Sequence, residues 1–213
     1  MKVRVCHTLA LSVCLASPAL SAQGLAAPTL TIAQEAPQGR RAGQSWLTPT
    51  LHVAGLFAAQ RVGASILWAE AFSFDDPQRV GRQWARAFTE PPKFDPDRRP
   101  FEWDGDWWVI NVVGHGLMGA ESYLRARQCE HSVWASLLFT AGASAVWEYV
   151  FEAPHVRPSA NDLVLTPLIG LGLGELRYQA YRHAHRLGRV GGAALRGLVD
   201  PFGSLERALG AGC

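Results

Sequence analysis

The sequence predicts an all-α protein: a compact bundle of about five to six helices with glycine- and alanine-rich contacts, and membrane association left open. Three observations predict it. Apolar residues recur through long segments at helical rather than alternating spacing, strand-type alternation is absent, and small residues crowd three segments at spacings that let helix backbones approach closely. The 213 residues are 48% hydrophobic and 18% charged. A charged share below the usual value of about 25% excludes disorder for most of the chain.

Met1-Lys2-Val3-Arg4 precedes an apolar stretch from Val5 to Leu20 and small residues at Ala19, Ser21 and Ala22, which is the pattern of a secretory signal of about 22 residues. A lipid-modified cysteine is not expected, because Val13 stands before Cys14 where that signal needs a small residue. Cleavage removes Lys2 and Arg4 but no acid, so the 20 basic and 18 acidic residues of the whole chain become equal in number. No basic excess is left to recommend nucleic acid. Cleavage also removes Cys6 and Cys14, leaving Cys129 and Cys213 as disulfide candidates in an oxidising compartment.

Residues 23–47, rich in Ala, Pro, Gly and Gln, read as a poorly ordered mature N-terminus, with a single helical domain expected over 48–213. Leu51 to Phe72 reads as a helix, and Pro77 to Phe88 as a shorter amphipathic one capped by Asp75 or Asp76. Glu90 to Asp106 holds Pro91, Pro92, Pro96, Pro100 and six acids, a long acidic loop of the kind that often carries function. Three apolar helices follow: Trp107 to Arg127, Ser132 to Phe151 and Asn161 to about Arg186. Ser132 to Phe151 has Glu148 as its only charge and the length that spans a bilayer. A core helix is preferred there, because His115 interrupts the preceding helix, and Pro167 with Gly170, Gly172 and Gly174 interrupts the following one.

Polar groups on such helices are costly, so they form the shortlist. His115 shares a helix face with Asn111, four residues earlier. Glu148 and Glu152 are also four apart, and carboxylates at that spacing repel unless a cation, a metal or a shared proton compensates. Arg125, Arg127 or His115 is expected to compensate. His115, Glu148, Glu152 and Asp162 are candidate catalytic residues for acid–base work, with Asn111, Tyr123, Arg127, Ser159, Asn161 and Glu175 as network or binding residues. Ser159 and Asp162 have the spacing of a helix capping box, which is the simpler role for both. The spacings match no established metal motif, so no cofactor is predicted and a divalent metal is the minor alternative. A hydrogen-bonded network is the preferred role of the cluster.

Three motifs in order carry a family resemblance: Asn111-x-x-x-His115-x-x-x-Gly119-Ala120-x-Ser122-Tyr123-x-x-Ala126-Arg127, Trp147-Glu148-Tyr149-x-x-Glu152, and Pro158-Ser159-x-Asn161-Asp162-Leu163-x-x-Thr166-Pro167-x-x-Gly170-x-x-x-Gly174-Glu175. They resemble the bacterial envelope proteins grouped as domain of unknown function 3943, over residues 100–205 or so. Gly116 departs from that pattern, which has proline after the histidine. The resemblance implies a protein of a Gram-negative-type envelope, usually exported to the periplasm or outer membrane, with no reaction assigned. An acid on one helix followed by Ser-x-x-Asp and a Gly-x-x-x-Gly helix is more weakly similar to VanZ-like membrane proteins, and no function is carried across from those.

Eight tryptophans and the arginine-rich segment after Glu175 make a membrane surface or anionic envelope lipid the expected partner class, although a solvated face is the simpler account of the arginines. The expected function is that of an exported cell-envelope protein whose His/Glu/Asp cluster organises the bundle. The alternatives are an envelope hydrolase acting on lipid or glycan through His115 and Glu148 or Glu152, and an anionic-lipid-binding module.

Overall fold

A computed structural model describes residues 45–213 apart from Ser73 and Ala211. The signal segment 1–22 and nearly all of 23–47 lie outside the described residues. The rest is all-helical: α1 Leu47–Leu67, α2 Ala69–Phe72, α3 Pro77–Thr89, α4 His115–Gln128, α5 Val133–Val146, α6 Ala160–Ala184, α7 Arg189–Val199 and α8 Pro201–Ala208. Two π-helical turns, Val109–Gly114 and Trp147–Glu152, lead into α4 and out of α5. The acidic loop joins the bundle through an isolated parallel bridge between Lys93 and Ser159.

Local chemistry explains the helix starts. The Asp76 carboxylate accepts from the Arg79 amide at 2.9 Å, with Pro77 in the first helical position of α3. Ser132 caps α5 by accepting from Ala135 N at 3.2 Å, and Ser159 caps α6 by accepting from Asp162 N at 3.1 Å. Three expected helices differ from the structure. The segment Leu51 to Phe72 starts earlier, at Leu47, and divides into α1 and α2, while Trp107 to Arg127 and Ser132 to Phe151 each contain a π turn. The His115 amide bonds the Ile110 carbonyl and the Ala153 amide bonds that of Glu148, each five residues back. One widened turn barely disturbs an apolar pattern, so periodicity does not register it. Among the described residues no helix is long and apolar enough to cross a membrane.

Helices α4 and α6 run parallel and very close. A Cβ on Gly119 would collide with the Thr166 carbonyl oxygen, one on Gly170 would sit 2.9 Å from the Gly119 carbonyl, and one on Gly174 would sit 2.8 Å from Tyr123 Cδ1. Helix α5 runs back beside them, with Thr140 against Gly170 and the Ser144 hydroxyl donating to the Asp162 carbonyl at 3.1 Å. This up–down–up order brings the starts of α4 and α6 to the same end of the bundle as the end of α5. Helix α1 lies over the bundle through Val53 and Phe57, which pack with Met118, Ala143, Phe139, Trp147 and Phe151. Buried Cys129, just after α4, is disulfide-bonded to Cys213, with Cα atoms 5.0 Å apart.

Candidate functional site

The shared end of α4, α5 and α6 holds the polar centre. His115 opens α4, Glu148 and Glu152 sit on the π turn that ends α5, and Asp162 lies in the first turn of α6. His115 Nδ1 is 3.9 Å from Glu148 Oε1, and its Nε2 is 3.8 Å from Asp162 Oδ2. Both separations exceed a hydrogen bond, so the imidazole lies between two carboxyl groups without bonding either. Glu148 is 1% exposed, and its Oε2 accepts from the Ser159 amide at 2.8 Å. Half-buried Glu152 accepts from Trp147 Nε1 at 3.0 Å.

The acidic loop closes over this end. Asp104 accepts from the Ser159 hydroxyl at 2.6 Å, from Asn111 Nδ2 at 2.8 Å and from the Asp106 amide at 3.0 Å. The Phe101 carbonyl accepts from Asn111 Nδ2 at 2.7 Å and from Asn161 Nδ2 at 3.1 Å. Ser159 therefore caps α6 and fastens the loop through one hydroxyl. The loop contributes Asp104 and Asp106, neither of which sequence reasoning selected. The signal available was the density of acids in a long loop, which does not say which of six turns inward.

Burial and mutual repulsion set the protonation of this centre. Burial lowers the His115 pKa to about 4, although the Asp104 charge opposes it, so the imidazole is neutral at ordinary pH. Burial, then the charges of Asp104 and Glu152, raise Asp162 to about 8. Glu148 is raised by burial and by Glu152, Asp162 and Asp104, while Glu152 is raised by burial and by Asp106. Burial acts upward on Asp104 too, but its donors from Ser159, Asp106 and Asn111 outweigh it and the pKa is lowered. One carboxylate is thus built to hold charge, and its neighbours resist it.

Of the three groups that could compensate Glu148 and Glu152, Arg125 and Arg127 pair with other acids, and His115 is the one that reaches the centre. Arg127 Nε donates to Glu175 at 3.0 Å, Tyr123 donates to the same carboxylate at 2.9 Å, and the Arg127 guanidinium stacks on Tyr178. Tyr123, Arg127 and Glu175 therefore form a separate group, two to three turns further along α4. Arg125 belongs to a third cluster. It is 2% exposed and donates to Glu121 at 2.8 Å and to Asp200 at 3.1 Å, while Arg177 donates to Glu121 at 2.6 Å. His52 on α1 bonds Glu121 and Glu206 in the same cluster. Arg177 and Arg207, part of the arginine-rich segment, are drawn inward to Glu121 and Asp200.

Residues 100–202 match the family described as Domain of unknown function (DUF3943). Over this stretch the chain is similar to that family. No curated protein and no solved structure matches the chain. The DUF3943 stretch contains Asp104, Asn111, His115, Glu148, Glu152, Ser159, Asn161 and Asp162, so the polar centre lies wholly inside it. Cys213 and α1 lie outside it, which separates the disulfide and the His52 contacts from the part matched to the family.

Proposed function

We propose that the chain is an exported cell-envelope protein whose DUF3943 polar centre organises the bundle, holding the acidic loop against the converging ends of α4, α5 and α6. The observation that carries this reading is the double use of Asp104 and the Phe101 carbonyl, which between them take donors from Asn111, Ser159 and Asn161. Buried bonds of this kind contribute modestly when made and are costly when broken. Asp104→Asn is therefore expected to lower unfolding free energy by about 1–3 kcal/mol in urea titrations. An unchanged midpoint would remove the organising role.

Export is supported by the signal pattern at the N-terminus and by the Cys129–Cys213 disulfide, which suits an oxidising compartment. Membrane association is supported by exposed Trp107, Trp108, Ile110, Val113 and Leu117, which lead into and begin α4. N-terminal sequencing of the cell-envelope fraction is expected to find the chain starting after about 22 residues. A cytosolic chain beginning at Met1 would contradict export.

A second reading, an envelope hydrolase acting on lipid or glycan, is favoured by one feature: beside His115 lie carboxyl groups whose pKa values are raised, that of Asp162 to about 8, where a carboxylic acid still holds a proton at neutral pH. Here His115 takes a proton and Glu148 or Asp162 supplies one. Glu148→Gln that folds normally but no longer releases fatty acid or sugar from envelope extracts would support this reading, and retained release would remove it.

A further inference from the structure

The network described above is complete at its rim and incomplete at its centre. The donors are committed: both Asn111 and Asn161 direct Nδ2 to the Phe101 carbonyl, the Ser159 hydroxyl donates to Asp104 and the Ser159 amide to Glu148. The buried atoms left without a partner include Asn111 Oδ1, His115 Nδ1, Glu148 Oε1, Asn161 Oδ1 and Asp162 Oδ1. Two are amide oxygens that can only accept, two are carboxyl oxygens that accept when ionised, and the fifth is an imidazole nitrogen able to present a lone pair. Reversing either amide would set its oxygen against the Phe101 carbonyl, so the orientations are fixed by the network. A centre that serves packing alone leaves few buried groups unpaired, and a group of inward-facing acceptors without a donor is a specific deficiency.

A cation supplies what is missing. Among the described residues, no lysine or arginine forms an ion pair with Glu148, Glu152 or Asp162, and the carboxyl groups of Asp104 and Asp106 add to the same field. One ligand atom each from His115, Glu148 and Glu152 lies within 4.8 Å of the others. Two ligands held at about 2.0–2.2 Å from one tetrahedral ion stand roughly 3.3–3.6 Å apart. The 3.9 Å between His115 Nδ1 and Glu148 Oε1 is a few tenths of an ångström wider than that, so the three groups must draw together to close on an ion, with Glu152 moving on a half-buried turn.

We propose that His115 Nδ1 and the carboxylates of Glu148 and Glu152 bind a divalent first-row cation of the zinc or manganese class, with Asp162 orienting the imidazole through Nε2. The donor set of one imidazole and two carboxylates suits that class better than thiophilic ions. Asp162 then plays the outer carboxylate part of a carboxylate–histidine–metal arrangement, since Nε2 faces its Oδ2. Three protein ligands leave a coordination position for water or a substrate oxygen. This inference rests on reading the DUF3943 polar centre as the functional centre, but not on where the protein resides.

The test uses the full mature protein, stripped with chelator and titrated calorimetrically with zinc chloride and, separately, manganese chloride. Cobalt chloride serves as a spectroscopic probe of a nitrogen-containing site. The expected result is a single equivalent bound to the wild type by one of these ions, with visible cobalt absorption that depends on His115. His115→Gln and Glu148→Gln should abolish binding, and Asp162→Asn should weaken it about 10–100-fold. Asp75→Asn, at an exposed carboxylate ahead of α3, should bind as wild type does, and circular dichroism checks that each variant is folded. Failure of the wild type to bind either ion, or wild-type binding by folded Glu148→Gln, would overturn the cation site. The Asp104→Asn stability measurement would still stand, so the two readings fail separately.

Discussion

His52 is the point at which α1 meets the charged cluster on α4 and α8, and its protonation gives that contact a pH dependence. Burial acts to lower its pKa, but hydrogen bonds to Glu121 and Glu206 outweigh it and the value is raised above 6.5. Burial acts upward on Glu121, yet its bond to His52 and the charges of Arg177 and Arg125 bring it down to about 2. The His52 contribution is complete below its unfolded pKa and is lost as pH rises through the folded value. That of Glu121 is present above its unfolded pKa and is lost as pH falls toward about 2. The contact is therefore strongest between about pH 4.5 and 6.5. Comparing urea midpoints of wild type and His52→Gln should show a difference that shrinks as pH rises above about 6.5; a difference independent of pH would rule out this ion contact. Glu148 was legible in the sequence because it is a lone charge on an apolar helix. Asp104 was not, because nothing local distinguishes it from its five acidic neighbours.

Among the elements, the glycines of the α4–α6 pair separate two roles that sequence treats alike. Gly170 and Gly172 stand two apart in one helix, yet a Cβ on Gly170 would press on the Gly119 carbonyl and Thr140, while one on Gly172 meets nothing within 4 Å. Gly170→Ala is expected to destabilise by about 1–3 kcal/mol through overpacking. Gly172→Ala is expected to stabilise by about 0.5–1 kcal/mol, because alanine is the better helix former where space is open. Equal effects in thermal or urea unfolding would show that the close approach is not as described. The Gly170-x-x-x-Gly174 spacing predicted a close contact, but the partner helix and the parallel sense are tertiary facts. The π turns belong to this scale too: both carry centre residues, Asn111 on one and Glu148 with Glu152 on the other, as such turns often do.

Among the described residues, large polar side chains lie in the interior and many large apolar ones at the surface. Arg125, Glu148, Asn111, Asp162 and Asp200 are among the largest fully buried side chains, whereas Leu51, Ile66, Leu138, Leu168 and Val190 are exposed. The Cys129–Cys213 disulfide closes a loop with a sequence separation of 84, tying the C-terminus to the end of α4. Its loss through Cys213→Ser should lower stability by about 2–4 kcal/mol, read as a reduced denaturation midpoint that matches the reduced wild type. A variant as stable as the oxidised protein would show that the link does not constrain the chain. Extraction offers a further check: salt should release the protein from any membrane fraction that carries it if α5 is a core helix, whereas a requirement for detergent would place apolar surface in lipid.

Sequence alone determined the helical class, the three central helices, the crowding of small residues along them and the members His115, Glu148, Glu152 and Asp162 of the polar centre. Each has a local signature: apolar periodicity, residue size or a charge where burial makes it costly. Only the tertiary structure decided that Arg125 and Arg127 turn away to other acids, that Asp104 comes in from the loop, and that buried polar atoms of the centre are left without partners. Those outcomes depend on which side chains meet across long sequence separations, and pairing energies of that kind leave no periodic trace in the chain.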